Sequence, residues 1–328
     1  MLQFIVRRLL LMLPTLFAVS VVAFIIIQLP PGDYVTSYMA NLATSGETLD
    51  QQRLDALRER YGFDEPIYVQ YWKWVSGIVT EGDFGQSFEW GKPVNDIIWA
   101  RFRLTVLISL STLIFTWIIA FPIGIYSAVK QYSIGDYLVT FLGFIGLAVP
   151  NFLIALVLMY VSFKYFNQSV GGLYSPEYES ASWSWNKFVD LLRHLWIPVI
   201  ILGLAGTATL VRVMRANLLD ELSKPYVITA RAKGLPEWQV IMQYPVRIAL
   251  NPFVSTAGWV LPSLVSGSLI VAVVLSLPTT GPLLLRALTS QDMYLAGAFI
   301  LLLSVLTMVG TLLSDLALAW LDPRIRYE

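Results

Sequence analysis

Residues 104–129 read LTVLISLSTLIFTWIIAFPIGIYSAV, a run without a single charge. About 30 Å of hydrocarbon takes roughly 20 helical residues to cross, so this run is long enough to span a bilayer. To either side, residues 9–29 and 137–163 are equally free of charge. Residues 195–211 form a shorter apolar run between Arg193 and Arg212. No charge occurs between Arg247 and Arg286, which places a further span near 253–277. The last run covers 294–321 and contains one carboxylate, Asp315. Of the 328 residues, 56% are hydrophobic and only 13% charged, too apolar for a soluble domain. In lipid every backbone polar group must be satisfied internally, so the runs are read as helices. The expectation is an all-α polytopic membrane protein with six transmembrane helices.

Arg7 and Arg8 precede the first run in the manner of a secretory signal. The run is too long for one, however, and Gln28-Leu-Pro-Pro-Gly32 has no small-x-small cleavage pattern, so it reads as an uncleaved anchor. Orientation follows from Lys and Arg in the short loops. A cytoplasmic N-terminus puts eleven basic residues inside: Arg7, Arg8, Lys130, Arg212, Arg215, Lys224, Arg231, Lys233, Arg247, Arg324 and Arg326. The opposite short loops hold four, Lys164, Lys187, Arg193 and Arg286. Both termini are therefore expected in the cytoplasm.

The same bias places one polar segment on the cytoplasmic side, Ser223-Lys-Pro-Tyr-Val-Ile-Thr-Ala-Arg-Ala-Lys-Gly234-Leu-Pro-Glu237. It reads as helix, stop and new helix. Pro225 suits a first turn. Arg231 and Lys233 suit a last turn, where the helix dipole favours cations. Gly234 can take the left-handed conformation that ends a helix, and Pro236 opens the next. Glu237 then falls in a first turn, where an anion is favoured. A short docking element on one face of a membrane protein implies a soluble partner.

The opposite face carries an insertion at 30–103, with helical character at 49–61 and an aromatic stretch at 66–79 that includes Trp72 and Trp74. The aromatics form a small core or lie at headgroup level. Glu81-Gly-Asp-Phe-Gly85-Gln-Ser-Phe reads as a turn. A second outer loop, 164–194, carries Tyr174, Tyr178, Trp183 and Trp185. Either loop contacts an external partner or packs over the helices. Within the spans Gly143 and Gly146, Gly203 and Thr207, and Ser263 and Gly267 form small-residue pairs that let helices approach closely. Pro150, Pro198 and Pro262 are candidate kinks.

Several chemistries are excluded. There is no cysteine, and His194 is the only histidine, so disulfides, thiolate sites and paired-histidine zinc sites are ruled out. His194 reads as an interfacial residue. No Gly-Lys-Ser/Thr phosphate loop occurs, so ATP hydrolysis of the usual P-loop kind has no seat here, and no Gly-x-Ser-x-Gly elbow is present. Zero net charge gives no support for nucleic-acid binding. Asp315 is a proton or ion site, or a solvated or arginine-paired residue near the cytoplasmic end. Asp136, Arg212 and Arg215 flank spans and read as topology and headgroup residues. A stand-alone secondary carrier would need intramembrane charges and inverted repeats, and neither is evident.

The segment beginning Tyr226-Val-Ile-Thr-Ala-Arg-Ala-Lys-Gly-Leu235 resembles the cytoplasmic coupling loop of ABC importer permeases, in the version of the dipeptide/oligopeptide family. Phe4-Ile-Val-Arg-Arg-Leu-Leu, Tyr61-Gly-Phe-Asp-Glu-Pro-Ile-Tyr-Val-Gln-Tyr71, Gly82-Asp-Phe-Gly-Gln-Ser87 and Leu321-Asp-Pro-Arg-Ile-Arg326 are similar to that family in the same order. Ile228 stands where the general motif has glutamate, and Tyr244-Pro245 where His-Ala is more usual, so a kink is expected there. Leu275-Ser-Leu-Pro-Thr-Thr-Gly281 replaces a Phe-Ser-x-Pro-Gly-x-Gly pattern. The resemblance implies a type I importer fold: an N-terminal helix (1–29), an extracytoplasmic insertion (30–103) and a five-helix permease core (104–328), the pattern of the B-type subunit. It implies a non-catalytic pore subunit for peptides in a bacterial or archaeal cytoplasmic (inner) membrane, with oligosaccharides and metal chelates as alternative cargo. Implied partners are a homologous C-type permease subunit, two ABC ATPases that bind ATP and Mg, and an extracytoplasmic substrate-binding protein. Tyr226, Thr229, Ala230, Arg231, Lys233, Gly234, Leu235 and Pro236 are the implied ATPase contacts. Ser263, Ser266, Gly267 and Ser268 are candidate pathway-lining residues.

Overall fold

The computed structural model describes residues 2–28, 65–87, 89–166, 171–251, 253, 269–290 and 292–321. Its described elements are helical apart from one two-stranded ribbon. In order they are α1 (Leu2–Gln28), α2 (Ile67–Glu81), β1 (Gln86–Ser87), β2 (Lys92–Pro93), α3 (Val94–Val129), α4 (Ile134–Ala148), α5 (Asn151–Phe166) and α6 (Pro176–Glu179). There follow α7 (Trp185–Leu222), α8 (Pro225–Ala232), α9 (Glu237–Gln243), α10 (Pro245–Ala249), α11 (Leu269–Val274), α12 (Thr280–Thr289) and α13 (Met293–Leu321).

Among the described residues, four helices are long and apolar enough to cross a membrane: α1, α3, α7 and α13. A fifth crossing is available if α4 and α5 count as one span, although they meet at 101°. The charge-free run 137–163 is thus not one continuous helix. The break has a local cause. Pro150 disfavours the helical conformation in the residue before it, and Val149 is extended at φ −85° and ψ 124°. Of the expected span at 253–277, only Phe253 and the residues from 269 onward are described, α11 among them; the rest lies outside the described residues, with Pro262, Ser263 and Gly267. The helical reading of 49–61 lies outside them too. Helices α3 and α7 start about ten residues before the apolar runs they contain, because the flanking polar residues continue the same helix. Ser184 caps α7 by accepting from the Lys187 N–H.

The chain divides into two compact units. One comprises Leu2–Thr105 and Thr279–Met308. Its core brings Phe24 of α1 and Tyr71 and Trp74 of α2 together with Val94, Ile98, Leu283, Tyr294 and Phe299. Ser20 and Tyr71 share a hydrogen bond of 2.7 Å, and Phe24 stacks on Trp74 at 5.7 Å. Two of the stretch's aromatics therefore build a core, while Tyr68 and Trp72 stay exposed. The expected turn forms as a ribbon in which Gln86 pairs with Pro93 and Ser87 with Lys92. Gly85 takes φ +93°, and a Cβ there would stand 2.9 Å from the Tyr294 ring. Ser87 donates to the buried Asp292 carboxylate at 2.5 Å, and Asp292 also accepts from the Leu295 N–H to cap α13.

The other unit comprises Val106–Pro278 and Val309–Glu328. Gly146 and Gly203 act as expected: a Cβ on Gly146 would stand 3.0 Å from Leu204, and one on Gly203 would stand 2.9 Å from Phe115. The loop before α7 folds onto that helix. Asp190 accepts from the Ser175 N–H and hydroxyl, both at 2.7 Å, and the Lys187 ammonium lies 4.9 Å from the Tyr174 ring. Trp183 and Trp185 remain exposed. His194, read as an interfacial residue, is buried within α7, and its Nδ1 lies 2.8 Å from the Asp190 carbonyl oxygen. Asp315 lies half-buried in α13.

The reading of Asp136 is corrected. The residue is 2% exposed, and its carboxylate receives Arg215 Nε at 3.0 Å and Nη2 at 2.9 Å. Ser127 Oγ and the Tyr132 N–H donate to the same group. This network joins α3, the Lys130–Ser133 turn, α4 and α7, and fixes Tyr132 at φ +62°. Asp136 and Arg215 are thus a packed ion pair within the unit, and of the three residues read as headgroup contacts only Arg212 is exposed.

Candidate docking element

The polar segment forms the expected pair of helices. Pro225 opens α8 at a position where a missing N–H is harmless. Thr229 Oγ1 bonds back to the Pro225 carbonyl at 2.9 Å. At the other end Lys233 N donates to the Thr229 carbonyl and Gly234 N to that of Arg231. Gly234 sits at φ +77°, and nothing lies within 4 Å of where its Cβ would be, so backbone conformation rather than crowding demands glycine here. Pro236 then caps α9, its carbonyl accepting from Gln239 and Val240.

Two devices hold α8 against α9. The first is a small core of Val227, Ala230 and Val240, flanked by Tyr226 and Leu235. The second is a clasp in which Arg231 Nη2 and Nε reach the Glu237 carboxylate at 2.6 and 3.0 Å. Hydrogen bonding to Arg231 pulls the Glu237 carboxyl below its ordinary value, and the same bond raises Arg231. Tyr226 donates to the Glu221 carboxylate at 2.5 Å and so ties α8 to the end of α7. Burial, then Glu221, push the Tyr226 phenol up.

The element is mounted on a long lever. Ile241 of α9 and Val246 and Ala249 of α10 pack with Leu210, Met214 and Leu218 of α7 and Ala120 and Ala128 of α3. The expected kink is present: Tyr244 at φ −112° and ψ −79° separates α9 from α10, which Pro245 opens. Through α9 and α10, α8 is therefore tied to α7.

Of the residues singled out from the sequence, Tyr226, Ala230 and Leu235 face inward, Arg231 is held by Glu237, and Pro236 is a cap. Thr229, Lys233 and Gly234 are exposed. Ser263, Ser266, Gly267 and Ser268 lie outside the described residues. The exposed face also offers two large apolar side chains, Ile228 at 58% and Trp238 at 68% exposure. Trp238 was missed because it follows the matched motif; its signal is a tryptophan in the first turn of a helix otherwise set by charge. Glu237, read only as a favourable first-turn anion, proves to be the partner of Arg231.

Residues 120–327 match the family described as binding-protein-dependent transport system inner membrane component, and residues 1–111 match the N-terminal component of the same transport systems. The chain is 36% identical over 328 residues to the oligopeptide transport system permease protein AppB of Bacillus subtilis, with both chains covered in full. It is 33% identical, again with full coverage of both, to the glutathione transport system permease protein GsiC of Escherichia coli K12. A putative peptide permease protein of Brucella ovis is 33% identical over 329 residues, 99% of each chain. End-to-end similarity of this kind, on a helical chain with several spans, shows that the protein belongs to the binding-protein-dependent transport system inner membrane component family.

Proposed function

We propose that this chain is the transmembrane pore subunit of an ATP-binding-cassette importer for peptides. The observation that carries the reading is the α8–α9 element, which presents Ile228, Trp238 and Lys233 outward while its inner face is locked to α7. A rigid helical pair with an exposed apolar anchor suits insertion into a groove on a soluble protein. Peptide cargo follows from the relatives named for oligopeptides, peptides and glutathione, each matched over essentially its whole length.

On this reading the element faces the cytoplasm, as do both termini, and the protein sits in a bacterial or archaeal inner membrane. Two ATPase subunits bind ATP and Mg, a homologous permease subunit completes the pathway, and an extracytoplasmic binding protein delivers cargo. The segment 30–103 lies outside. Tyr226, Ala230, Leu235 and the Arg231–Glu237 clasp shape the docking element, and Thr229, Lys233 and Gly234 meet the ATPase with Ile228 and Trp238. Ser263, Ser266, Gly267 and Ser268 remain candidates for the pathway wall.

The test is co-purification. Replacing residues 224–236 by Gly/Ser is expected to release the ATPase subunits while the chain stays in the membrane. Retention of the ATPases by that variant would overturn the assignment.

A further inference from the structure

A cleft of about 330 Å³ lies among α3, α4 and α7. Its wall is largely apolar, with Val139, Leu142, Leu204 and Val211 among the lining residues. From Leu204 to Arg215 the lining advances along α7 by about 16 Å at 1.5 Å per residue. One end of the cleft is cationic, lined by Arg212 and Arg215. The two arginines are in different states. Arg215 is committed to Asp136 through two hydrogen bonds. Arg212 has no carboxylate within ion-pair distance among the described residues, and its guanidinium lies 5.4 Å from the Phe144 ring. On the wall Thr207 Oγ1 is buried without a hydrogen-bond partner.

We propose that this cleft binds one anionic phospholipid, with an acyl chain along the apolar wall and the phosphate on Arg212. The guanidinium lies over the Phe144 ring, and its N–H fork matches two phosphate oxygens. Arg212 is the first charge after the apolar run 195–211, so it stands where a spanning helix meets the headgroups. Arg212 thus gives the lipid a counter-charge at the depth of its phosphate, while the cleft takes a chain that free phosphate lacks. A zwitterionic headgroup would bring its own cation to Arg212 and lose most of the attraction. The site is independent of the docking element, so either assignment can fail alone.

The experiment is native mass spectrometry of the purified importer complex, titrated with phosphatidylglycerol and, separately, with phosphatidylcholine. Arg212→Gln is expected to lower phosphatidylglycerol affinity about fivefold, the effect of one cation at an anionic surface. It should leave phosphatidylcholine unchanged, and Arg212→Lys should restore only part of the preference, because an ammonium keeps the charge and loses the fork. Thr207→Leu, which narrows the cleft, should lower retention of both lipids. A photo-cross-linking residue at 142 should label lipid. Equal phosphatidylglycerol retention by Arg212→Gln and the parent would overturn the proposal. So would displacement of the lipid by millimolar inorganic phosphate, or cross-linking of position 142 to a protein subunit.

Discussion

Asp136 and Arg215 show how far a single pair constrains this chain. Removing one partner of a buried ion pair costs roughly 3–5 kcal/mol, because the survivor keeps its desolvation cost without its attraction. The two partners are not equivalent: the Asp136 side chain is 4% exposed and that of Arg215 is 27% exposed. Arg215→Ala strands a carboxylate with little access to water, whereas Asp136→Asn leaves a cation that can turn outward. Arg215→Ala is therefore expected to lower the thermal unfolding midpoint in detergent more than Asp136→Asn does, and the double variant should recover part of the loss. An equal drop for both singles would show that the pair is not buried as described. Gly234 makes a second demand at this scale. A side chain at its positive φ costs roughly 1–2 kcal/mol, least for Asn and most for a β-branched residue. Since there is open space around it, Gly234→Asn should retain ATP-driven uptake and Gly234→Val should lose it, with both variants still in the membrane. The sequence alone showed that Gly234 ends a helix, because glycine flanked by Lys233 and Pro236 is a local signal. It did not show that Asp136 meets Arg215, since that contact joins residues far apart in the chain and each carries an ordinary span-flanking charge.

At the scale of the element, the clasp and the small core divide the work of holding α8 to α9. Glu237 has a lowered pKa, so the clasp contributes fully above the ordinary carboxylate range near 4.5 and is lost as pH falls through the lower folded value. Both side chains are about half exposed, so the contribution is small, roughly 0.2–1 kcal/mol. Amide exchange across residues 231–240, corrected for intrinsic rate, should hence be flat from pH 8 to about 5 and rise modestly below that. Arg231→Gln should show the raised rate at every pH. The outer face is independent of this. Trp238→Ala and Ile228→Asp are expected to weaken ATPase co-purification without moving the unfolding midpoint, because neither side chain is packed. Helix identity, caps and the stop were legible here because each depends on residues within one or two turns. The break at Val149–Pro150 was legible only as a candidate kink. Proline sets the possibility of a bend, and its size, 101°, depends on what the two helices pack against.

For the whole molecule, the membrane class was legible from the charge-free runs alone, and the family from motifs in order along the chain. Whether the run 137–163 is straight or broken was not, because hydropathy does not distinguish a straight span from the bent pair of α4 and α5. Energy supply is the decisive property at this scale. The sequence contains no Gly-Lys-Ser/Thr phosphate-binding loop, and on the proposed reading ATP acts through another subunit. A secondary carrier would instead draw on an ion gradient through ionisable groups in its spans, and here Asp315 is the only charged residue within the apolar run of α13. The two cases separate in proteoliposomes. The chain alone is expected to show no peptide flux under a proton or sodium gradient. Flux should appear only with the second permease subunit, the ATPases, the binding protein and ATP together, and Asp315→Asn should not abolish it. Gradient-driven flux from the chain alone would overturn the pore-subunit reading, and loss of that flux in Asp315→Asn would then locate the ion site.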